Sequence, residues 1–272
     1  MATRTWYRVA LARGANVDLV AASGEHLGAA IAAAEHLFEG SVAFAVGPAT
    51  EADIPLGESV GRQAAVALGA DVARPAAPVG GWRWPKGVVP ALDATRDGQI
   101  GWTVVAQPEL LVIEAATDAS HLTDLFMGML ERLPAGDNLE VRVKDHFDHG
   151  AADEIWITSR VNAKKILRFL DDYDRELIEN GHVELSIYVR AHKATLRLTE
   201  HKTVVWLAEE RALEADVTRW LGELGVPHAP GPLATVRDGA HFHYRVAKTR
   251  DRKKLSDTLY RERLRRVRDT AG

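Results

Sequence analysis

The sequence predicts an α+β fold, a mainly antiparallel sheet with helices packed on one face, and three observations carry that expectation. Val183, Leu185, Ile187 and Val189 alternate strictly with Glu184, Ser186, Tyr188 and Arg190, the period of a strand with one wet face. Just before them, Ile166, Leu170, Tyr173 and Leu177 recur at spacings of four, three and four, which places them on one side of a helix. Strand-like runs follow at Thr195 to Thr199 and Thr203 to Leu207, with His201-Lys202 near the turn, so the pairing is expected to be antiparallel. A helix laid against such a sheet is the α+β layer arrangement.

From the N-terminus, Thr5 to Ala12 reads as a strand, and Ser23 is placed to cap a helix from Gly24 to Phe38 that closes at Gly40. The strand Ser41 to Val46 follows, then a modest Ala/Val helix over Gly57 to Gly69. Residues 71–98 hold four of the eleven prolines, Pro75, Pro78, Pro85 and Pro90, so little regular structure is expected there. Gln99 to Ala106 and Leu110 to Ile113 read as strands, His121 to Leu133 as a helix and Leu139 to Val143 as a further strand. His26-Leu27 with Glu35-His36-Leu37 aligns with His121-Leu122 and Glu131-Arg132-Leu133 after one insertion. Two readings are open: chance likeness between amphipathic helices, or a duplicated β-α-β unit, which would give two ferredoxin-like halves sharing one sheet or stacked side by side.

Ile155 to Ile157 reads as a strand, and Asn162 caps the helix through Leu177, whose stop is assigned to Asn180-Gly181 with Gly181 left-handed. Leu213, Val217, Trp220 and Leu224 mark another helix, ended by Gly225. Ala240 to Val246 reads as a strand with His241 and His243 on one face. Arg250 to Arg268 reads as an amphipathic C-terminal helix along Leu255, Leu259, Leu264 and Val267, with nine basic residues against three acidic ones. The expected division is an N-terminal α/β half over 1–106, a C-terminal α+β half over 107–249, and the basic helix over 250–272.

Composition narrows the function classes. At 46% hydrophobic and 26% charged the chain is ordinary globular protein, and the absence of cysteine excludes disulfides, thiolate nucleophiles and Cys-ligated zinc or iron–sulfur sites. No signal-peptide pattern is read at Met1 to Arg8 and no apolar run is long enough to span a bilayer, so a cytoplasmic protein with no membrane partner is expected. Arginine outnumbers lysine 25 to 9 in an alanine-rich chain, a usage associated with GC-rich bacterial coding sequences. Phosphate loops, dinucleotide fingerprints and His-Glu-x-x-His helices are missing from the sequence, and no cofactor is expected.

Two groups of residues have metal-ligand chemistry. Asp145, His146, Asp148, His149, Asp153 and Glu154 gather imidazole and carboxylate donors suited to zinc, manganese or iron, in what otherwise reads as a solvated loop. His241 and His243, at alternate strand positions, aim two imidazoles the same way, although two ligands are too few. Trp82, Arg83 and Trp84 sit in the proline-rich stretch, either folded back over the sheet or exposed as a partner-binding surface. With the tail counted to Gly272 the C-terminal segment carries +5 and the rest −9. The sequence alone puts a non-enzymatic protein that binds another protein (an inhibitor, adaptor or immunity-type protein) first. An enzyme with a spatially assembled, metal-dependent His/Asp site comes second. A nucleic-acid binder using the basic helix comes third, since a chain of net charge −4 lacks a basic body.

Overall fold

The computed structural model describes residues 4–55, 65–94, 97–150 and 152–267. Its first sheet begins with a hairpin of β1 (Thr5–Arg13) and β2 (Asn16–Gly24), turned at Gly14, whose φ of 61° suits glycine. Helix α1 (Leu27–Leu37) crosses to β3 (Val42–Pro48), and β4 (Ala65–Ala67) completes the order β3-β1-β2-β4. Leu27, Ala30, Ile31 and Ala34 of α1 pack on Val9, Leu11, Val20 and Ala22, while Leu19 joins Ala10 and Phe44 on the opposite face. With both faces covered β2 shows no alternation, and the sequence reading passes over it. Ser23 accordingly lies inside β2, and His26 caps the helix in its place. Of the helix expected over 57–69, residues 57–64 lie outside the described residues and Ala65–Ala67 is a strand paired with β2.

After the short β5 (Val88–Pro90) come β6 (Gly101–Val105), β7 (Leu111–Ala116), α2 (Leu122–Arg132), β8 (Asn138–Val143) and β9 (Glu154–Ile157). Then follow α3 (Ala163–Asp172), α4 (Asp174–Leu177), β10 (Val183–Val189), β11 (Ala194–Leu198), β12 (Val204–Ala208), α5 (Glu214–Glu223), β13 (His241–His243), α6 (Arg252–Arg261) and β14 (Arg265–Val267). Eight of these strands form one antiparallel sheet in the order β14-β9-β8-β10-β11-β12-β7-β6. Its inward residues, among them Leu139, Val141, Leu185, Ile187, Leu196 and Trp206, meet Phe126, Met129, Leu170, Leu221 and Leu259 from the helices in one core. The fold is α+β, with helices on one face of a mainly antiparallel sheet.

Several finer expectations change. The β2-α1-β3 crossover skips one strand, whereas β7-α2-β8 skips β12, β11 and β10, so the two β-α-β units occupy different places in their sheets. The helix starting at Asn162 is broken at Tyr173 into α3 and α4. Gly181 is not left-handed; its lack of a side chain serves a close approach, since a Cβ there would run into the carbonyl of Gly87. The C-terminal helix ends at Arg261 and the chain re-emerges as β14 on β9, leaving Val267 exposed while Leu255, Leu259 and Leu264 are buried. Strand β6 belongs to the larger sheet, and β13 pairs with β5, so the chain crosses between the two halves more than once. Among the described residues no helix is long and apolar enough to cross a membrane.

Candidate metal centre

Antiparallel pairing gathers the site. Val143 of β8 lies opposite Val183 of β10, and Leu185 of β10 opposite Leu198 of β11. The exit of β8, the entry of β10 and the exit of β11 therefore meet at one end of the larger sheet. To that end they bring His146, His182 and Glu200-His201. Strand β13 lies across it, with Phe242 and Tyr244 packed on the core of the first sheet and His241 and His243 on the alternate face. Ring centroids are 4.9 Å apart for His146 and His182, 4.8 Å for His146 and His243, 4.9 Å for His201 and His241, and 5.0 Å for His201 and His243.

Two backbone carbonyls fix the chemistry of the central pair. His241 Nδ1 lies 2.7 Å from the Gly239 oxygen and His243 Nδ1 lies 2.7 Å from the Gly181 oxygen. A carbonyl only accepts, so both Nδ1 atoms carry a proton, and in the neutral rings both Nε2 atoms are lone pairs. Those two Nε2 atoms face each other at 3.2 Å. One proton on the His241 ring would make the contact an Nε2–H···Nε2 hydrogen bond to His243, whose own ring burial holds down to about 3. A cation relieves the repulsion without a proton, and zinc–nitrogen bonds of ~2.0–2.1 Å set tetrahedral neighbours about 3.3–3.4 Å apart, close to the spacing seen here. One ligating atom each from His201, His241 and His243 lies within 4.8 Å of the others; His146, Glu200 and His243 form a second such group.

The surroundings are charged and partly buried. Burial raises the Glu200 carboxyl above its usual range; Lys144 Nζ stands 3.8 Å from its Oε1 and His146 Nε2 stands 3.7 Å from its Oε2. That Oε2 is buried and has no hydrogen-bond partner among the described residues. His182 stacks on Phe147, and burial, with its neighbouring imidazoles, pushes it down to about 2. Lys202 is enclosed, lowered to about 7 by burial, and donates from Nζ to the Asn180 carbonyl at 2.6 Å. It thereby braces the turn that presents the Gly181 carbonyl to His243.

Of the residues singled out from sequence, His146, His241 and His243 come together here, while the side chain of His149 lies outside the described residues. The carboxylates of that loop hold other parts of the chain. Asp153 accepts from the Asp145 amide, Asp148 from the Arg252 amide, and Glu154 from Arg252 and Ser256. Sequence reasoning missed His182, Glu200 and His201. The signal was available, because His182 enters β10 and Glu200-His201 leaves its hairpin partner β11, which puts them at the same end. Trp84 is buried against Val88 and Val236, with Trp82 edge-on to it at 5.6 Å, so the pair folds back on the chain; Arg83 is exposed. A cleft of 960 Å³ beside α6, lined by Glu154, Trp156, Arg252 and Tyr260, contains none of the clustered histidines. Gly57-Glu58-Ser59-Val60-Gly61 has the Gly-x-Ser-x-Gly spelling of a nucleophile elbow, which the sequence reading passes over, and it lies outside the described residues.

Comparison with protein-family models, with curated proteins and with solved structures returned no match.

Proposed function

We propose that this chain is a metal-binding protein whose centre takes one divalent transition-metal ion on His201, His241 and His243. The observation that carries the reading is the facing pair of Nε2 atoms at 3.2 Å, each ring oriented by a carbonyl behind it, beside the third imidazole of His201. Backbone acceptors behind ligating imidazoles are the usual means of fixing tautomer and ring orientation at metal sites. Three imidazoles without a thiolate suit zinc, nickel, copper or iron, and disfavour magnesium and calcium. The protein-binding reading has less support, because Trp84 is buried; the nucleic-acid reading also loses ground, because Arg252 of the basic helix is turned inward onto the carbonyls of Lys144 and Ala152.

Metal-free protein equilibrated with zinc is expected to keep one equivalent through desalting and to melt several degrees higher than without it. Replacing His241 and His243 together by alanine should remove both effects. Wild-type protein that retains no zinc, nickel or cobalt, or a double variant that retains it unchanged, would sink the reading.

A further inference from the structure

We propose that the ion held by His201, His241 and His243 keeps one coordination position open towards Glu200, and that this position exchanges water for small monoanions. The proposal rests on the metal reading above. Among the described residues no fourth imidazole or carboxylate joins the three histidines; the group containing His146 and Glu200 shares only His243 with them. His243 cannot serve two ions at once, since its Nδ1 is committed to the Gly181 carbonyl. One ion on three imidazoles is coordinatively incomplete, and catalytic zinc centres, unlike closed structural ones, leave that last position to water or substrate.

Glu200 supplies the second observation. Its Oε2 is buried and unpartnered among the described residues, and one of its carboxylate oxygens lies within 4.8 Å of a ring nitrogen of His243 without joining the three-histidine group. A carboxylate that neighbours one ligand without joining the set is placed to accept from a metal-bound water. A water on the open position would donate to Oε2 and satisfy it. His146 Nε2 is 3.7 Å from the same oxygen, on an exposed side chain. Water activation at such a position is the starting point for hydrolytic and hydration chemistry.

The test uses cobalt(II) as a visible probe and azide as the exchanging anion. Wild-type protein loaded with one equivalent of cobalt should show a saturable change in its visible bands as azide is added, with no loss of cobalt. Glu200→Gln should keep the cobalt and bind azide about tenfold more tightly, because a carboxylate beside the open position repels an anion and an amide does not. Cobalt bands that azide in large excess leaves unchanged would overturn the proposal and leave the metal reading standing. Loss of cobalt from Glu200→Gln would do the same by making Glu200 a ligand, and the wild-type titration stands even if that variant fails to fold. Cobalt that wild-type protein does not retain would overturn the metal reading itself.

Discussion

His26 shows how one residue type can serve opposite ends in this chain. Its Nδ1 accepts from the Ala29 amide at the start of α1, which requires a neutral ring, and burial with the nearby Arg245 lowers it to about 4. His182, His201 and His243 are depressed in the same direction. The unfolded chain takes up these protons near the ordinary value of 6.5 and the folded chain only well below it. The stability they contribute is therefore complete above about pH 6.5 and is lost progressively as pH falls towards about 4 and below. Metal-free protein should melt at a clearly lower temperature at about pH 5 than at about pH 7.5. His26→Asn, which offers an acceptor that does not titrate, should flatten that slope; an equally steep profile would remove His26 from the account. Gly181 gives a second test at this scale. Gly181→Ala forces a methyl into the Gly87 backbone, with an expected cost of about 1–3 kcal/mol by denaturant titration and weaker zinc binding through the displaced carbonyl that holds His243. The sequence exposed part of this cluster. Spacing along one strand revealed His241 and His243, but His182 and His201 reach that end of the sheet through the register of β10 on β11.

Elements were legible where one face is wet. β10, α3 and α5 were all found by period, and Leu170, fully buried on α3, should cost about 2–5 kcal/mol when changed to alanine. An unchanged denaturant midpoint would contradict that packing. Where both faces are covered the period vanishes, as in β2, and where a short strand follows a helix the two periods blur. Leu264 fits the α6 stripe equally well as the first turn of a continued helix or as the entry to β14. The segment from Arg250 is nonetheless anchored as its apolar residues suggest. Leu255, Leu259 and Leu264 are buried in the main core, each contributing about 1.5–3 kcal/mol, and Arg252 binds the carbonyls of Lys144 and Phe147 around the loop that carries His146. Truncation after Thr249 should lower the melting temperature. Protein that melts unchanged without this segment would show that the contacts of α6 contribute little.

For the whole molecule the centre lies where the two sheets meet. β13 is bonded to β5, Tyr244 donates to the Gly87 carbonyl, and Gly181 donates to that of Tyr244. His146, His182 and His201 belong to the larger sheet. Zinc should therefore slow amide exchange selectively at Val88, Val89 and Phe242 to Tyr244; uniform slowing, or none, would show the ion is not held across this junction. An ion joining His201 to His243 would also close a loop of 43 residues. By the chain-entropy argument for cross-links, a loop of that size restricts the unfolded chain by about 4 kcal/mol. In a chain without cysteine, the facing imidazoles of β13 would thus let an ion act as a reversible cross-link, one that responds to metal supply and acidity and is indifferent to thiol reductants.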